Sequence, residues 1–197
     1  PTLKLMDSSG RVIASNTAWD GSSSLSQIFA QVGAFPLKTG SHDTAIAVSL
    51  QPGSYTASLT STDGTTGDAL IEIYDADLKP LNTAQRLVNL SSMGYVTTGF
   101  PVIGGFSITG TSPKTLLIRG NGPTLSSYGA TSPLADPVLK LYQGQTVIAS
   151  NTGWSKPTTV NASYPGATAT AISTAIANSG AFALPAGSAD SAISVSY

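Results

Sequence analysis

The chain has 197 residues, of which 41% are hydrophobic and 10% are charged, and its formal net charge is -1 at pH 7. This length and apolar fraction allow one large or two small domains with apolar cores, and they argue against a disordered chain. The near-neutral charge excludes a basic face for a nucleic-acid backbone, and no apolar run reaches the roughly 18 residues that a membrane span needs.

The composition also predicts where the protein works. The chain has 28 serines and 24 threonines but no cysteine. Hydroxyl groups therefore replace the Lys and Glu typical of cytosolic surfaces, and disulfides, thiolate nucleophiles and Cys metal sites are excluded. Residues 1–4 have neither the basic nor the apolar region of a signal peptide, so we expect any export signal to have been removed. We predict a secreted or bacterial cell-surface protein.

Most segments show the alternation of β-strands. In chain order, residues 46–50, 54–60 and 106–108 alternate between apolar and polar side chains. Residues 114–119 form a more continuous apolar run, which suits a strand that is covered on both faces. Gly and Pro residues separate these runs, and the whole pattern predicts about eleven strands.

Two segments break the strand pattern. Apolar residues spaced i, i+3, i+4, i+7 occupy residues 25–32 and stop at Gly33. Ile172 and Ile176 have an i, i+4 spacing before Gly180. Each segment predicts a short helix that ends at its glycine. The predicted fold class is therefore all-β with minor helix.

An internal repeat is the most informative feature of the sequence. Four blocks return in the same order, which indicates a duplicated unit carrying one short helix per copy. The paired blocks are residues 1–6 and 137–142, 12–19 and 147–154, 33–37 and 180–184, and 40–48 and 187–195. The second copy carries about a dozen extra residues between its Trp and its Gly-Ala-Phe block.

The two copies are cut in different phases. The first copy continues through residues 50–75, whereas the second stops at Tyr197, and residues 86–136 precede the second copy alone. We therefore predict two modules, residues 1–80 without opening strands and residues 81–197 without final strands. The most linker-like stretch, residues 77–83, sets this boundary.

Five motifs together resemble a known family. They are Leu-Ala-Asp-Pro-x-Leu-x-Leu, Val-Ile-Ala-Ser-Asn-x-x-Trp, Gly-Ala-Phe-x-Leu, Gly-Ser-x-Asp-x-Ala and Pro-Gly-x-Tyr-Thr-Ala, at residues 134–141, 12–19, 33–37, 40–45 and 52–57. Their order resembles the tandem Ig-like β-sandwich repeat of large secreted and cell-surface bacterial proteins. Residues 86–91 and 114–120 are similar to the opening strands of that repeat. The resemblance covers nearly the whole chain and implies Ig-like β-sandwich modules, with no catalytic motif to carry over. The chain departs from the family in the phase of its ends.

Each copy places a Trp three residues after an Asn. The pairs are Asn16 with Trp19 and Asn151 with Trp154. An exposed indole beside amide and hydroxyl groups is suited to stack on a sugar ring and to hydrogen-bond it, so these four residues are candidate ligand-binding residues. The alternative interpretation is structural: the Trp closes the open end of a sandwich as part of the core, and the Asn closes the turn.

Calcium is the one cofactor for which the sequence offers a candidate site. Calcium requires several oxygen ligands, and Asp75 and Asp77 at the module junction, together with Asp136, are the best candidate set. No dense Asp-Gly loop accompanies them. Zinc is excluded, because the chain has one His and no Cys.

The sequence offers no convincing catalytic group. Ser41, His42 and Asp43 are the residue types of a hydrolytic triad, but adjacent side chains on a turn point apart, and the second copy has Ala189 in place of His42. The acidic residues are mostly isolated at turns, whereas glycoside hydrolysis needs two facing carboxylates. We predict that the protein is not an enzyme.

These observations predict a non-enzymatic extracellular structural module. Copies with complementary missing strands are expected to fill one another's gaps head to tail, and such contacts propagate into filaments. The partners would then be copies of the chain itself. A fragment of a longer tandem array is the alternative explanation for the ends. A carbohydrate-binding or adhesion module that uses exposed Trp and Tyr, with glycans as partners, is the alternative function, and a hydrolase ranks third.

Overall fold

A computed structural model describes residues 1–77, 86–156, 159–160 and 167–196. Contacts divide the chain into two compact units, Pro1–Asn89 and Leu90–Tyr197. The boundary predicted after residue 80 falls in the linker-like stretch, and residues 78–85 of it lie outside the described residues. The described chain consists of small antiparallel sheets with few helices, so the predicted β-rich fold class is confirmed.

The first unit contains one three-stranded sheet and one helix. Its elements are β1 (Thr2–Asp7), β2 (Val12–Asn16), α1 (Ser23–Val32) and β3 (Tyr55–Thr60). The sheet has the order β2-β1-β3, and both pairings are antiparallel. The turn between β1 and β2 is closed by Asp7, whose Oδ1 accepts from the Ser9 and Arg11 N–H groups at 3.0 and 3.1 Å.

The second unit contains two small sheets, an α-helix and a 3₁₀ helix. Its elements are β4 (Thr115–Gly120), the 3₁₀ helix (Pro123–Tyr128), β5 (Leu139–Gln143), β6 (Thr146–Asn151), β7 (Thr159–Val160), α2 (Ala169–Ser179) and β8 (Ser191–Ser196). One sheet pairs β4 with β8, and the other has the order β5-β6-β7. All of these pairings are antiparallel.

The first hairpin of each unit has the same pairing. In the β1–β2 hairpin Leu3 lies opposite Asn16, and the register shifts between Leu5 and Met6. In the β5–β6 hairpin Leu139 lies opposite Asn151, and the register shifts at the corresponding step after Leu141. The matched sequence blocks therefore form hairpins of matching geometry.

Both predicted helices form, and each has a hydroxyl cap and a terminal glycine. Ser22 Oγ accepts from the Leu25 N–H at 3.4 Å, and Thr168 Oγ1 accepts from the Ala171 N–H at 3.2 Å. Gly33 and Gly180 end the helices with φ of 73° and 71°, in the left-handed region that glycine adopts without strain. Helix α2 buries Ile172 and Ile176, whereas α1 buries none of its residues.

The core of the second unit lies on both faces of β8. Ile193 and Val195 pack with Leu141 and Ile148 of the β5–β6 hairpin. On the other face, Ala192 packs with the cluster that contains Trp154, Leu184 and the apolar residues of α2. Strand β4 contributes to both clusters, because Leu116 and Ile118 pack against the first and Leu117 against the second. In the described part of the first unit, by contrast, Trp19 is the one buried hydrophobic residue.

The number of strands differs from the sequence prediction. The described residues form eight strands, and residues 46–50, 71–75, 86–91 and 106–108 are not among them. Between residues 86 and 113 the backbone makes one isolated bridge, between Thr97 and Phe100. Alternation indicates that a segment is suited to a sheet, but a strand forms only where a neighbour accepts its hydrogen bonds. These segments have no such neighbour among the described residues.

Candidate functional site

Both tryptophans are buried and hydrogen-bonded to backbone. The Trp19 N–H donates to the Asp43 carbonyl at 2.8 Å, and its Nε1 donates to the Lys38 carbonyl at 3.0 Å. Trp154 makes the corresponding bonds to the carbonyls of Asp190 at 2.6 Å and Pro185 at 3.0 Å. The indoles are 6% and 8% exposed. Each Trp therefore hydrogen-bonds the segment after its hairpin to a later loop. That loop precedes Ala45 in the first unit and Ala192 in the second.

The two asparagines use their amides inside the same corners. Asn16 Oδ1 accepts from the Ala45 N–H at 3.3 Å, and its Nδ2 donates to the Ala18 carbonyl at 3.0 Å. Asn151 Oδ1 accepts from the N–H groups of Gly153 and Ala192, both at 3.1 Å. The side-chain groups proposed for ligand binding are therefore already bonded to backbone.

The structure decides between the two interpretations of these residues. Sugar stacking requires an exposed indole face, and neither Trp19 nor Trp154 has one. The burial of both indoles favours the interpretation in which Trp is core and Asn closes the turn over the one with exposed Trp platforms. The sequence could not settle this point, because a repeated Asn-x-x-Trp is compatible with either arrangement.

A buried carboxylate in the second unit was not singled out from the sequence. Asp190 is 0% exposed, and its Oδ1 accepts from the Gly122 N–H at 2.7 Å. Its Oδ2 accepts from the hydroxyls of Thr124 and Ser188, the latter at 2.7 Å. Burial alone raises the pKa of Asp190, but the hydrogen bonds from Thr124, Gly122 and Ser188 outweigh it, so the pKa lies below its ordinary value. Asp190 therefore binds the loop after β4 to the start of β8.

The loop that Asp190 binds is the Gly-Asn-Gly-Pro segment at residues 120–123. Its second glycine is required by close packing, because a Cβ on Gly122 would overlap the Leu134 carbonyl oxygen. The segment leads into a 3₁₀ helix with Pro123 at its start. The donors of this loop face a protein carboxylate, so its role in the structure is internal.

The matched acid of the first unit has a different environment. Asp43 is exposed, and its Oδ2 accepts from the Ser41 hydroxyl at 2.7 Å, as Asp190 does from Ser188. Because the Ser41 hydroxyl donates to Asp43, His42 does not hold it as a catalytic base would. The carboxylate of Asp43 therefore retains accepting capacity that Asp190 uses for Gly122 and Thr124.

The candidate calcium ligands belong to two different units. Asp75 and Asp77 are exposed in the first unit, where Asp75 Oδ1 accepts from the Asp77 N–H at 3.1 Å. Asp136 is exposed in the second unit. Among the described residues, no group of three or more His, Cys, Asp or Glu side chains is placed to hold a metal ion.

An open groove of about 340 Å³ lies in the first unit. Its apolar wall is formed by Leu25 and Ile28 of α1 and by residues 45–47, and its polar rim includes Asn16 and Asp20. We call this feature the acceptor groove, and we call residues 44–49 the acceptor segment. The acceptor segment matches β8 in the repeat, but it pairs with no strand in the described part of the chain.

The second unit fills the corresponding place with β4. There Leu117 packs against the cluster of α2 and Trp154, and all six residues of β4 pair with β8. The exposures follow this difference, since Val195 in β8 is 6% exposed and its match Val48 is 48% exposed. Phe182 lies under Arg119, whose guanidinium carbon is 4.1 Å from the ring centroid, whereas the matched Phe35 is 56% exposed.

The comparisons with known proteins give no relative for this chain. The scan against protein-family models found no match, and the comparisons with curated proteins and with solved structures also returned none. The resemblance to an Ig-like repeat therefore gains no support from them. Within the described ranges, neither α-helix is long and apolar enough to cross a membrane.

Loss of either indole is expected to destabilise its own unit rather than to abolish glycan binding. Trp154→Ala should lower the free energy of unfolding of the second unit by about 4 kcal/mol, because it creates a cavity beside α2. Tyr95→Ala, at a side chain that is 82% exposed in the same unit, is the control and should have little effect. Denaturant unfolding measures both variants. A saturable change of Trp emission on adding oligosaccharides would contradict the core assignment.

Asp190 and Asp43 form a matched pair for a second test. Asp190→Asn should cost the second unit about 2 kcal/mol, because a buried amide cannot accept all of the bonds that the carboxylate accepts. Asp43→Asn should cost the first unit less than about 0.5 kcal/mol. Amide exchange, read separately for β8 and β1, measures both effects.

The same pair predicts a pH dependence. Because the folded pKa of Asp190 is lowered, its contribution is complete above the ordinary carboxyl pKa of about 4 and is lost as the pH falls through the folded pKa. The wild-type second unit should lose stability below about pH 4. In Asp190→Asn the decrease should be smaller, because the part caused by protonation of Asp190 is absent. Equal acid sensitivity of the two proteins would contradict this role.

Proposed function

We propose that this chain is a non-enzymatic structural module of a bacterial cell-surface or secreted protein. In this proposal the chain is built on an internal repeat of Ig-like β-sandwich units, and it associates with copies of itself through strand complementation. The association is head to tail and is able to extend into a filament.

The repeated contacts support the repeat architecture. The two hairpins share their register and their irregularity, and each is followed by a Trp that bonds to the backbone of the same two loop positions. Both helices end at a left-handed glycine that precedes an Ala-Phe pair. An Ig-like sandwich further requires two sheets around one core, and the cluster shared by β8 and the β5–β6 hairpin supports that arrangement.

The observation that carries the proposed association is the acceptor segment. Its backbone pairs with no strand among the described residues, Ala47 and Val48 are exposed, the latter at 48%, and Ile46 is only half-buried. An unpaired, apolar edge is a template for a strand from another chain. A covering strand would remove both the unpaired backbone groups and the apolar surface from water.

Exposed apolar side chains of the second unit also favour association. Between residues 90 and 108 the large apolar side chains are exposed, with Met93 at 86% and Ile103 at 84%. Association would remove such side chains from water. The groups best suited to chemistry, by contrast, are engaged in the fold, since Asp190 binds the β4 loop and Ser41 donates to Asp43.

The association is tested by placing a charge on the acceptor segment. Light scattering after size exclusion should give the wild type a mass that rises above 19.9 kDa with concentration. Val48→Lys should shift this rise to about tenfold higher concentration, because a strand covering position 48 would bury the ammonium group. Ser49→Lys is the matched control. It adds the same charge at the next residue, whose match in β8, Ser196, stays exposed although β8 is paired. Its mass profile should follow the wild type.

Two outcomes would contradict the proposal. A wild-type mass of 19.9 kDa at every concentration would rule out self-association of this chain. Equal effects of the two lysines would show that the association does not bury the acceptor segment.

A further inference from the structure

We propose that the acceptor groove of the first unit binds one particular kind of strand, namely a segment with the sequence pattern of residues 114–124, donated by a neighbouring module. This inference rests on the proposed function, since it specifies the kind of strand that complements the acceptor segment; because β4 pairs with β8 in its own chain, a copy of this chain would have to release β4 to donate it. The pattern is an apolar strand with an Arg near its end, followed by Gly-x-Gly-Pro-Thr.

The pairing of β4 with β8 defines the expected register. In the second unit Leu116 lies opposite Val195, Ile118 opposite Ile193 and Gly120 opposite Ser191. The matched acceptor residues are Val48, Ile46 and Thr44. A donated strand in the same register would therefore place its two outer apolar residues opposite the two apolar residues of the acceptor segment.

The acceptor groove fits the side chain on the other face of that strand. Leu117 of β4 packs beside Ala192 and the apolar residues of α2. The first unit has Ala45 in the matched position and Leu25 on α1, and both line the acceptor groove. A leucine of the donated strand would fill this groove and complete an apolar cluster that α1 by itself does not bury.

Two contacts in addition to the strand pairing add specificity. Arg119 donates from Nη1 to the Phe182 carbonyl at 2.7 Å and lies over the Phe182 ring, and Phe35 offers the matched ring in an exposed position. The loop after β4 donates the Gly122 N–H and the Thr124 hydroxyl to Asp190. Asp43 offers the matched carboxylate, already bonded to Ser41 as Asp190 is to Ser188.

These contacts discriminate between donors. The hydrogen bonds of a sheet edge accept many sequences, whereas a buried carboxylate requires donors at fixed positions. A strand without the Gly-x-Gly-Pro-Thr loop would cover the edge but leave Asp43 without its new partners. The loop, together with the strand, therefore distinguishes this donor from other apolar segments.

The experiment adds the donor as a synthetic peptide to the full chain. The peptide has the sequence of residues 112–125, and the full-length protein carries ¹⁵N so that its amides are followed by NMR. Binding should slow the amide exchange of residues 44–49 and shift their resonances, with Ile46 and Val48 among the most affected. A peptide of scrambled sequence is the control and should leave these amides unchanged.

Two substitutions test the loop contact. Asp43→Asn in the protein, and Thr124→Val in the peptide, should each weaken binding about tenfold, because each removes a charge-assisted hydrogen bond. Asp63→Asn is the matched control in the same unit. Asp63 is also an exposed acid bonded by hydroxyls, with Thr65 and Ser61 lowering its pKa to about 2, but it lies outside the block that matches Asp190. It should bind the peptide as the wild type does.

The outcomes separate this inference from the proposed function. If the protein self-associates through the acceptor segment but the peptide does not protect residues 44–49, the donor is a different segment and this inference is overturned. Equal protection by the scrambled peptide would also overturn it, because the groove would then accept any apolar strand. If the peptide binds as described while the protein alone remains at 19.9 kDa, the inference stands and self-association fails.

Discussion

The pairing between β4 and β8 is the contact on which the second unit depends. It pairs one edge of β8 along the full length of the strand and brings Leu117 against the cluster that contains α2. Asp190, at the start of β8, then binds the loop after β4 through the Gly122 N–H and the Thr124 hydroxyl. In the first unit the matched residues have no strand of this kind among those described, and their exposure follows from that one difference. Val48, Phe35 and Asp43 are all exposed where Val195, Phe182 and Asp190 are covered or buried.

Local features were predictable from the sequence. The apolar spacing of residues 25–32 and the stop at Gly33 are short-range signals, and α1 forms where they place it. The β1–β2 and β5–β6 hairpins share their register, which agrees with the matched sequence blocks. The repeat also indicated that Asn16 and Asn151, and Trp19 and Trp154, have equivalent roles. The repeat could not indicate whether these side chains are exposed to solvent or buried in the core, because burial depends on residues far away in the chain.

The parts that the sequence did not predict depend on long-range contacts. Asp43 and Asp190 have nearly the same neighbours in sequence, yet Asp190 is buried because residues 66 and 68 positions earlier donate to it. The alternation of residues 46–50 predicted a strand, but the structure has none there, because alternation does not show which strand would lie beside a segment. The periodic pattern depends on one segment alone, whereas a strand forms only when two segments hydrogen-bond to each other.

The most direct test of this account is amide hydrogen exchange of the free chain, read residue by residue at low protein concentration. The account predicts slow exchange for the alternate N–H groups of β8 that bond to β4, and fast exchange for the matched N–H groups of residues 44–49, which have no strand beside them. It also predicts that the acceptor segment becomes protected as the concentration rises and copies associate. Equally slow exchange of the two segments in dilute solution would contradict the account, because it would show that the first unit already holds a partner strand for this segment.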